Sequence, residues 1–92
     1  MIAWHVRIIG QVQGVGFRYH TRHTASRLGV NGWVRNCPDG SVEVWAEADP
    51  AVLEAFLSWL RQGPPATRVL HCEVDVRATQ GFSGFTVWPD AA

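Results

Sequence analysis

At 92 residues, with 47% hydrophobic and 17% charged side chains, the chain has the length and composition of one small folded domain, residues 1–92, rather than of a disordered segment. Eight arginines balance eight acidic residues, so the formal net charge is zero and general attraction to a phosphate backbone is excluded as a basis for nucleic-acid binding. No apolar run approaches the ~18 residues of a membrane span, and Met1-Ile2-Ala3-Trp4-His5 does not open a secretory leader, so a cytoplasmic protein is expected.

Ile2, Trp4, Val6 and Ile8 alternate with Ala3, His5 and Arg7, the pattern of a half-buried strand whose end is blurred by Ile9. Phe17, Thr21, Ala25 and Leu28 recur at the spacing of one buried helix face, and Gly29 stops that helix. Val30 to Cys37 and Ser41 to Glu47 read as two strands of a hairpin joined by Pro38-Asp39-Gly40. Asp49 is the expected N-cap of a second helix, with Pro50 at its first position. Val52, Leu53, Phe56, Leu57 and Leu60 form its apolar stripe, and Gly63-Pro64-Pro65 ends it. A fourth strand runs from Arg68 to Arg77, with Val69, His71, Glu73 and Asp75 on one face and Leu70, Cys72, Val74 and Val76 on the other. Phe85 to Trp88 adds a short fifth strand before Pro89.

The order strand, helix, strand, strand, helix, strand is that of the ferredoxin-like split βαβ sandwich, an α+β fold. Two helices then cover one face of an antiparallel sheet and leave the other partly wet. Of the five tryptophans, Trp33 and Trp59 are expected to pack, and Trp4, Trp45 and Trp88 to be partly exposed. Cys37 and Cys72 are expected to be free thiols.

Between the first strand and the first helix lies Gly10-Gln11-Val12-Gln13-Gly14-Val15-Gly16-Phe17-Arg18. A glycine-rich turn entering a helix can aim several N–H groups at one anion, and Arg18 can close such a nest with a planar fork of donors. The alternative is a plain turn with Arg18 in solvent. In the split βαβ topology the end of the second strand approaches this loop, which places Asn36 beside it. An Asn amide both donates and accepts, and so can hold a water in one direction.

Gly10 to Arg18 resembles the first signature of the acylphosphatases, and Gly32-Trp33-Val34-Arg35-Asn36-Cys37-Pro38-Asp39-Gly40-Ser41-Val42 resembles the second. One helix separates the two, as in that family, and the similarity continues through Gly63-Pro64 and Val69 toward the C-terminal strand. The resemblance implies hydrolysis of the carboxyl–phosphate bond of small acyl phosphates to a carboxylate and inorganic phosphate. It gives Arg18 and Asn36 catalytic roles, Arg18 binding the phosphate and Asn36 orienting the attacking water. It also makes Gln13, Gly14, Val15, Gly16 and Phe17, with Arg18, the loop that wraps the phosphate. No cofactor and no metal are expected, phosphate or other anions should inhibit, and a monomer is expected. Ala48, Thr67 and the terminal Trp88-Pro89-Asp90-Ala91-Ala92 depart from the family pattern, which bears on edge stability and substrate fit.

Three other readings have less behind them. His20 and His23, with His5, His71, Cys37 and Cys72, supply metal-ligand types but no tight cluster in sequence. Trp45 on an open sheet face could stack an RNA base, yet the aromatic RNA-binding signature is absent. An acylphosphatase-like domain of a hydrogenase-maturation protein would be followed by zinc-binding segments, and no Cys-x-x-Cys follows here, so a stand-alone enzyme is expected.

Overall fold

The alternation at the start of the chain builds β1 (Ile2–Gln11), and the helical stripe after the glycine loop builds α1 (Phe17–Leu28). The hairpin supplies β2 (Asn31–Asn36) and β3 (Val42–Ala48), and α2 (Pro50–Gln62), β4 (Arg68–Arg77) and β5 (Phe85–Val87) follow. This computed structural model describes all residues from Met1 to Ala92. The strands form one five-stranded sheet in the order β4-β1-β3-β2-β5. Each neighbouring pair among the first four is antiparallel, as the split βαβ pattern requires. β5 lies parallel to β2, with Gly32 opposite Phe85, and makes the complete sheet mixed.

Both helices close over a core of Val6, Ile8, Val34, Val42 and Val44 from the sheet, Phe17 and Ala25 from α1, and Leu53, Phe56 and Leu60 from α2. α1 ends as expected: Gly29 adopts the left-handed conformation, and the Val30 amide reaches back to the Ala25 carbonyl at 2.9 Å. Asp49 occupies the N-cap of α2, but its carboxylate makes no capping bond. It lies instead 3.8 Å from the N-terminal amine, while the Asp49 carbonyl accepts from the amides of Val52 and Leu53.

The expected face assignment of β4 fails at its first two apolar residues, Val69 and Leu70. The β1–β4 register shifts between Ile9, opposite His71, and Gly10, opposite Val69, leaving Leu70 as an extra residue in a bulge. Val69 therefore joins Cys72 and Val74 against the core, and Leu70 turns outward, 66% exposed. Gly10 is required at the bulge, because a Cβ there would collide with the Arg68 carbonyl oxygen.

The outer sheet face is also drier than expected. Trp4 faces the helices and is buried, and Trp45 is buried on the outer side, correcting the exposure expected for both. Trp33 stacks on Trp88 with ring centroids 4.3 Å apart, and Phe82 meets both Trp45 and Trp88 edge-on. The segment between β4 and β5 is tied down by the buried carboxylate of Glu47. One Glu47 oxygen accepts from the Trp45 indole at 2.9 Å and the Gln80 amide at 2.6 Å. The other accepts from the amides of Gly81 and Phe82 at 3.1 and 3.3 Å.

All four partners are donors, so the Glu47 site demands two oxygens. Glu47→Gln turns an NH2 toward two of those donors, and a loss of about 2–4 kcal/mol in urea unfolding is expected. The pH dependence has a definite sign. Burial alone would raise the Glu47 carboxyl, but the bonds from Gln80, Trp45, Gly81 and Phe82 outweigh it and hold the pKa below the ordinary 4.5. The stabilisation is complete above 4.5 and disappears as pH falls through the lower folded-state value. Glu43, lowered against its burial by His5 and Arg35, adds to the same acid sensitivity. Stability measured between pH 5 and 2 should fall more steeply in the wild type than in Glu47→Gln.

Candidate active site

β1 and β2 both run antiparallel to β3, so their C-terminal ends emerge at the same edge of the sheet. The glycine loop leaves one of these ends, and Asn36 is the last residue of the other. Topology thus brings together two motifs that stand eighteen positions apart at Arg18 and Asn36.

The loop has the form of an anion nest. Gly14 and Gly16 adopt φ of 77° and 75°, conformations that L side chains resist, and Gly16 serves as the N-cap of α1. None of the backbone amides from Gln13 to Phe17 donates a hydrogen bond to another group of the protein. The first helical bond at this end comes from the His20 amide to the Gly16 carbonyl, 3.1 Å. Five consecutive donors at a helix N-terminus, with no acidic residue in the first turn of α1, make this the natural seat of a multiply charged anion.

Phe17 anchors the loop from beneath. It is buried, lies against Trp59 at 6.1 Å between ring centroids, and cannot shift without disturbing the core. Arg18, the next residue, points the other way and keeps 29% of its side-chain surface. Its Nη1 donates to Asp90 at 3.3 Å, a single contact that leaves most of the guanidinium fork unused. Asp90 carries no local pattern in the sequence that would mark it, and only the path of the C-terminal segment brings it here.

That segment also ties the two motifs together. The Trp88 amide donates to the Val34 carbonyl and the Ala91 amide to the Asn36 carbonyl, both at 2.9 Å. Asp90 on Arg18 and Ala91 on Asn36 are adjacent residues, so the two candidate catalytic groups flank one short stretch of backbone.

Asn36 itself is 9% exposed, and its Oδ1 is buried without any hydrogen-bond partner. An unpaired buried acceptor is costly, and in native structures it commonly marks a place where a ligand or water is bound. The turn that follows is well made. Gly40 N–H donates to the Cys37 carbonyl at 3.1 Å, Cys37 N–H to the Ser41 carbonyl at 2.9 Å, and Asp39 accepts from both the amide and the hydroxyl of Ser41. The orphan is therefore local to the Asn36 side chain.

Gln13 was expected to contribute backbone only, yet its side chain also crosses to the hairpin, donating to the carbonyls of Cys37 at 2.9 Å and Ser41 at 2.8 Å. The metal-ligand types do not converge: no three His, Cys, Asp or Glu side chains form a group able to hold a metal, and His5 bonds to Glu43 at 2.6 Å on the outer sheet face. Cys37 and Cys72 are free thiols. No open aromatic platform remains at Trp45, which lies beneath Phe82.

The acylphosphatase family model matches residues 4–87. The acylphosphatase of Thermococcus kodakarensis is 52% identical over 83 residues, 90% of this chain and 91% of that protein. The crystal structure of acylphosphatase from Bacillus subtilis superposes with a TM-score of 0.93 at 34% identity, covering 96% of this chain and 99% of that one. The T. kodakarensis HypF structure aligns with all of this chain but only 12% of its own, at 32% identity and a TM-score of 0.82.

Proposed function

The chain belongs to the acylphosphatase family, and from that premise we propose how its site divides the work of the reaction. The enzyme hydrolyses the carboxyl–phosphate bond of small acyl phosphates, giving a carboxylate and inorganic phosphate. In our reading the amides of Gln13 to Phe17 and the guanidinium of Arg18 hold the phosphoryl oxygens. Asn36 directs a water at phosphorus through its unpaired Oδ1.

The observation that carries this reading is the coincidence of two unmet needs at one sheet edge. Five loop amides lack acceptors, and one buried Asn oxygen lacks a donor. A phosphoryl group satisfies the first and a water the second. The chemistry asks for little more. A carboxylate is a good leaving group, so in-line attack depends mainly on alignment and on stabilising charge on the equatorial oxygens. Preorganised amides and a guanidinium supply the charge stabilisation without reorganising as the reaction proceeds. Water adds its oxygen to phosphorus, the P–O bond to the acyl group breaks with its electron pair passing to the carboxylate, and the water's proton goes to the phosphoryl oxygens or to solvent. No covalent nucleophile and no metal take part in this scheme.

Purified protein is expected to hydrolyse acetyl phosphate and benzoyl phosphate, with EDTA leaving the rate unchanged. Inactivity toward both in folded protein would refute the assignment. Inorganic phosphate, bound by the same groups, is expected to inhibit competitively. Asp90 presents an internal carboxylate to the arginine that the phosphoryl group needs. Asp90→Asn is therefore expected to lower KM for acetyl phosphate and Ki for phosphate by about two- to fivefold, the range for one exposed ion pair, with kcat retained. The same reading takes the protein as a single-domain monomer. Its unbridged cysteines support a reducing, cytoplasmic setting.

A further inference from the structure

We infer that the side chain of Gln13 is a positioning residue, which sets the distance between the phosphate loop and the water held by Asn36. The inference rests on the reading of Arg18, the loop and Asn36 given above.

Gln13 begins the stretch of amide donors, and its own side chain bridges away from the loop. One primary amide donates both hydrogens, to the Cys37 carbonyl at 2.9 Å and to the Ser41 carbonyl at 2.8 Å. Those carbonyls stand at the two feet of the turn that joins β2 to β3, and Cys37 follows Asn36 directly. A neutral NH2 at the end of a three-atom stem is what this task requires. Asn is one methylene too short, and Lys or Arg would bring a charge against two carbonyls in a half-buried place.

The turn does not depend on Gln13 for its own closure. The Cys37 carbonyl also accepts from the Gly40 amide, and the Ser41 carbonyl from the Cys37 amide. Removing the Gln13 amide leaves neither carbonyl orphaned and leaves the hairpin register in place. What disappears is the only pair of side-chain hydrogen bonds joining the loop to the turn after Asn36. The phosphate seat and the water seat would then be held together mainly by the flanking strands and the C-terminal segment. In-line attack is intolerant of such slack, since a displacement of about 1 Å can lower a rate about 100-fold. Binding of phosphate alone needs only the loop amides and Arg18, so it should survive.

Gln13→Met keeps the length and the packing and removes both donors. With acetyl phosphate it is expected to lower kcat by about 10- to 100-fold, with Ki for inorganic phosphate within about twofold of wild type. Gln13→Leu, neutral and without an N–H, should show the same split and serves as the readout if the methionine variant does not fold. The decisive comparison adds Asn36→Ala. Because Gln13 acts through the water that Asn36 holds, the double variant should turn over no more slowly than Asn36→Ala alone. The inference is overturned if phosphate affinity falls in parallel with kcat, if the two losses multiply, or if Gln13→Met and Gln13→Leu keep wild-type kcat. Failure of the underlying reading would show separately, in an Asn36→Ala single variant that retains turnover, and would remove the inference with it.

Discussion

Arg18→Ala is expected to lower kcat/KM for acetyl phosphate by about 10³-fold and to abolish competitive inhibition by phosphate at millimolar concentration. The size follows from what remains. The loop amides of Gln13 to Phe17 still offer partial charges, but the only full positive charge placed against the anion is gone. Arg18→Lys should recover little, because an ammonium is a point charge and cannot present two parallel N–H donors to two phosphoryl oxygens. Folding should be nearly unaffected. Arg18 is partly exposed and its single ion pair, with the exposed Asp90, is of the kind that contributes little to stability. A steady-state assay with a thermal melt beside it checks both halves. Phosphate inhibition that persisted in Arg18→Ala would show that the loop alone holds the anion.

Asn36→Ala separates the two halves of the site. Turnover should fall by about 10²–10³-fold, the scale seen when one positioned polar group is removed from a reacting centre, while phosphate still inhibits with a Ki close to wild type. Stability should move the opposite way from a usual core truncation. The Asn36 Oδ1 accepts no hydrogen bond from the protein, so its removal orphans no donor and deletes only a small volume. The melting temperature is expected to hold or rise, and this pairing of lost activity with retained or improved stability would mark a residue kept for function. If Asn36→Ala lost phosphate binding as completely as Arg18→Ala, Asn36 would be a phosphate ligand and the water-directing role would be wrong.

The legibility of this chain in sequence was uneven for physical reasons that can be named. Period-two alternation and the 3.6-residue stripe depend on neighbouring residues, so β1, β3 and both helices were readable in place. The same logic misled at β4. Period two assumes an unbroken register, and the bulge opposite Gly10 moved Val69 inward and Leu70 outward. Asp49 likewise has the right type at the right position, but its carboxylate makes no capping bond and lies near the N-terminal amine. Trp45 reads as partly exposed because Glu43 and Glu47, its neighbours on the same strand face, are polar. Its cover, Phe82, comes from a segment that carries no regular pattern.

The sequence by itself determined the order of the elements, the split βαβ class, the family, and the two residues on which the proposed chemistry turns. These are properties of residue type and spacing, and spacing survives without coordinates. The tertiary structure decided the rest. It set β5 parallel to β2, used the Glu47 carboxylate to fasten the outer face, and brought Asp90 and Ala91 onto Arg18 and Asn36. It also turned the Gln13 amide toward the hairpin and left the Asn36 oxygen without a donor. Each of these is a long-range hydrogen bond, pairing or burial. Their partners lie tens of residues apart or are missing altogether, and neither condition leaves a trace in local sequence. The glycine loop and its arginine were visible at once, but the partners that make them a site became visible only when the sheet had folded.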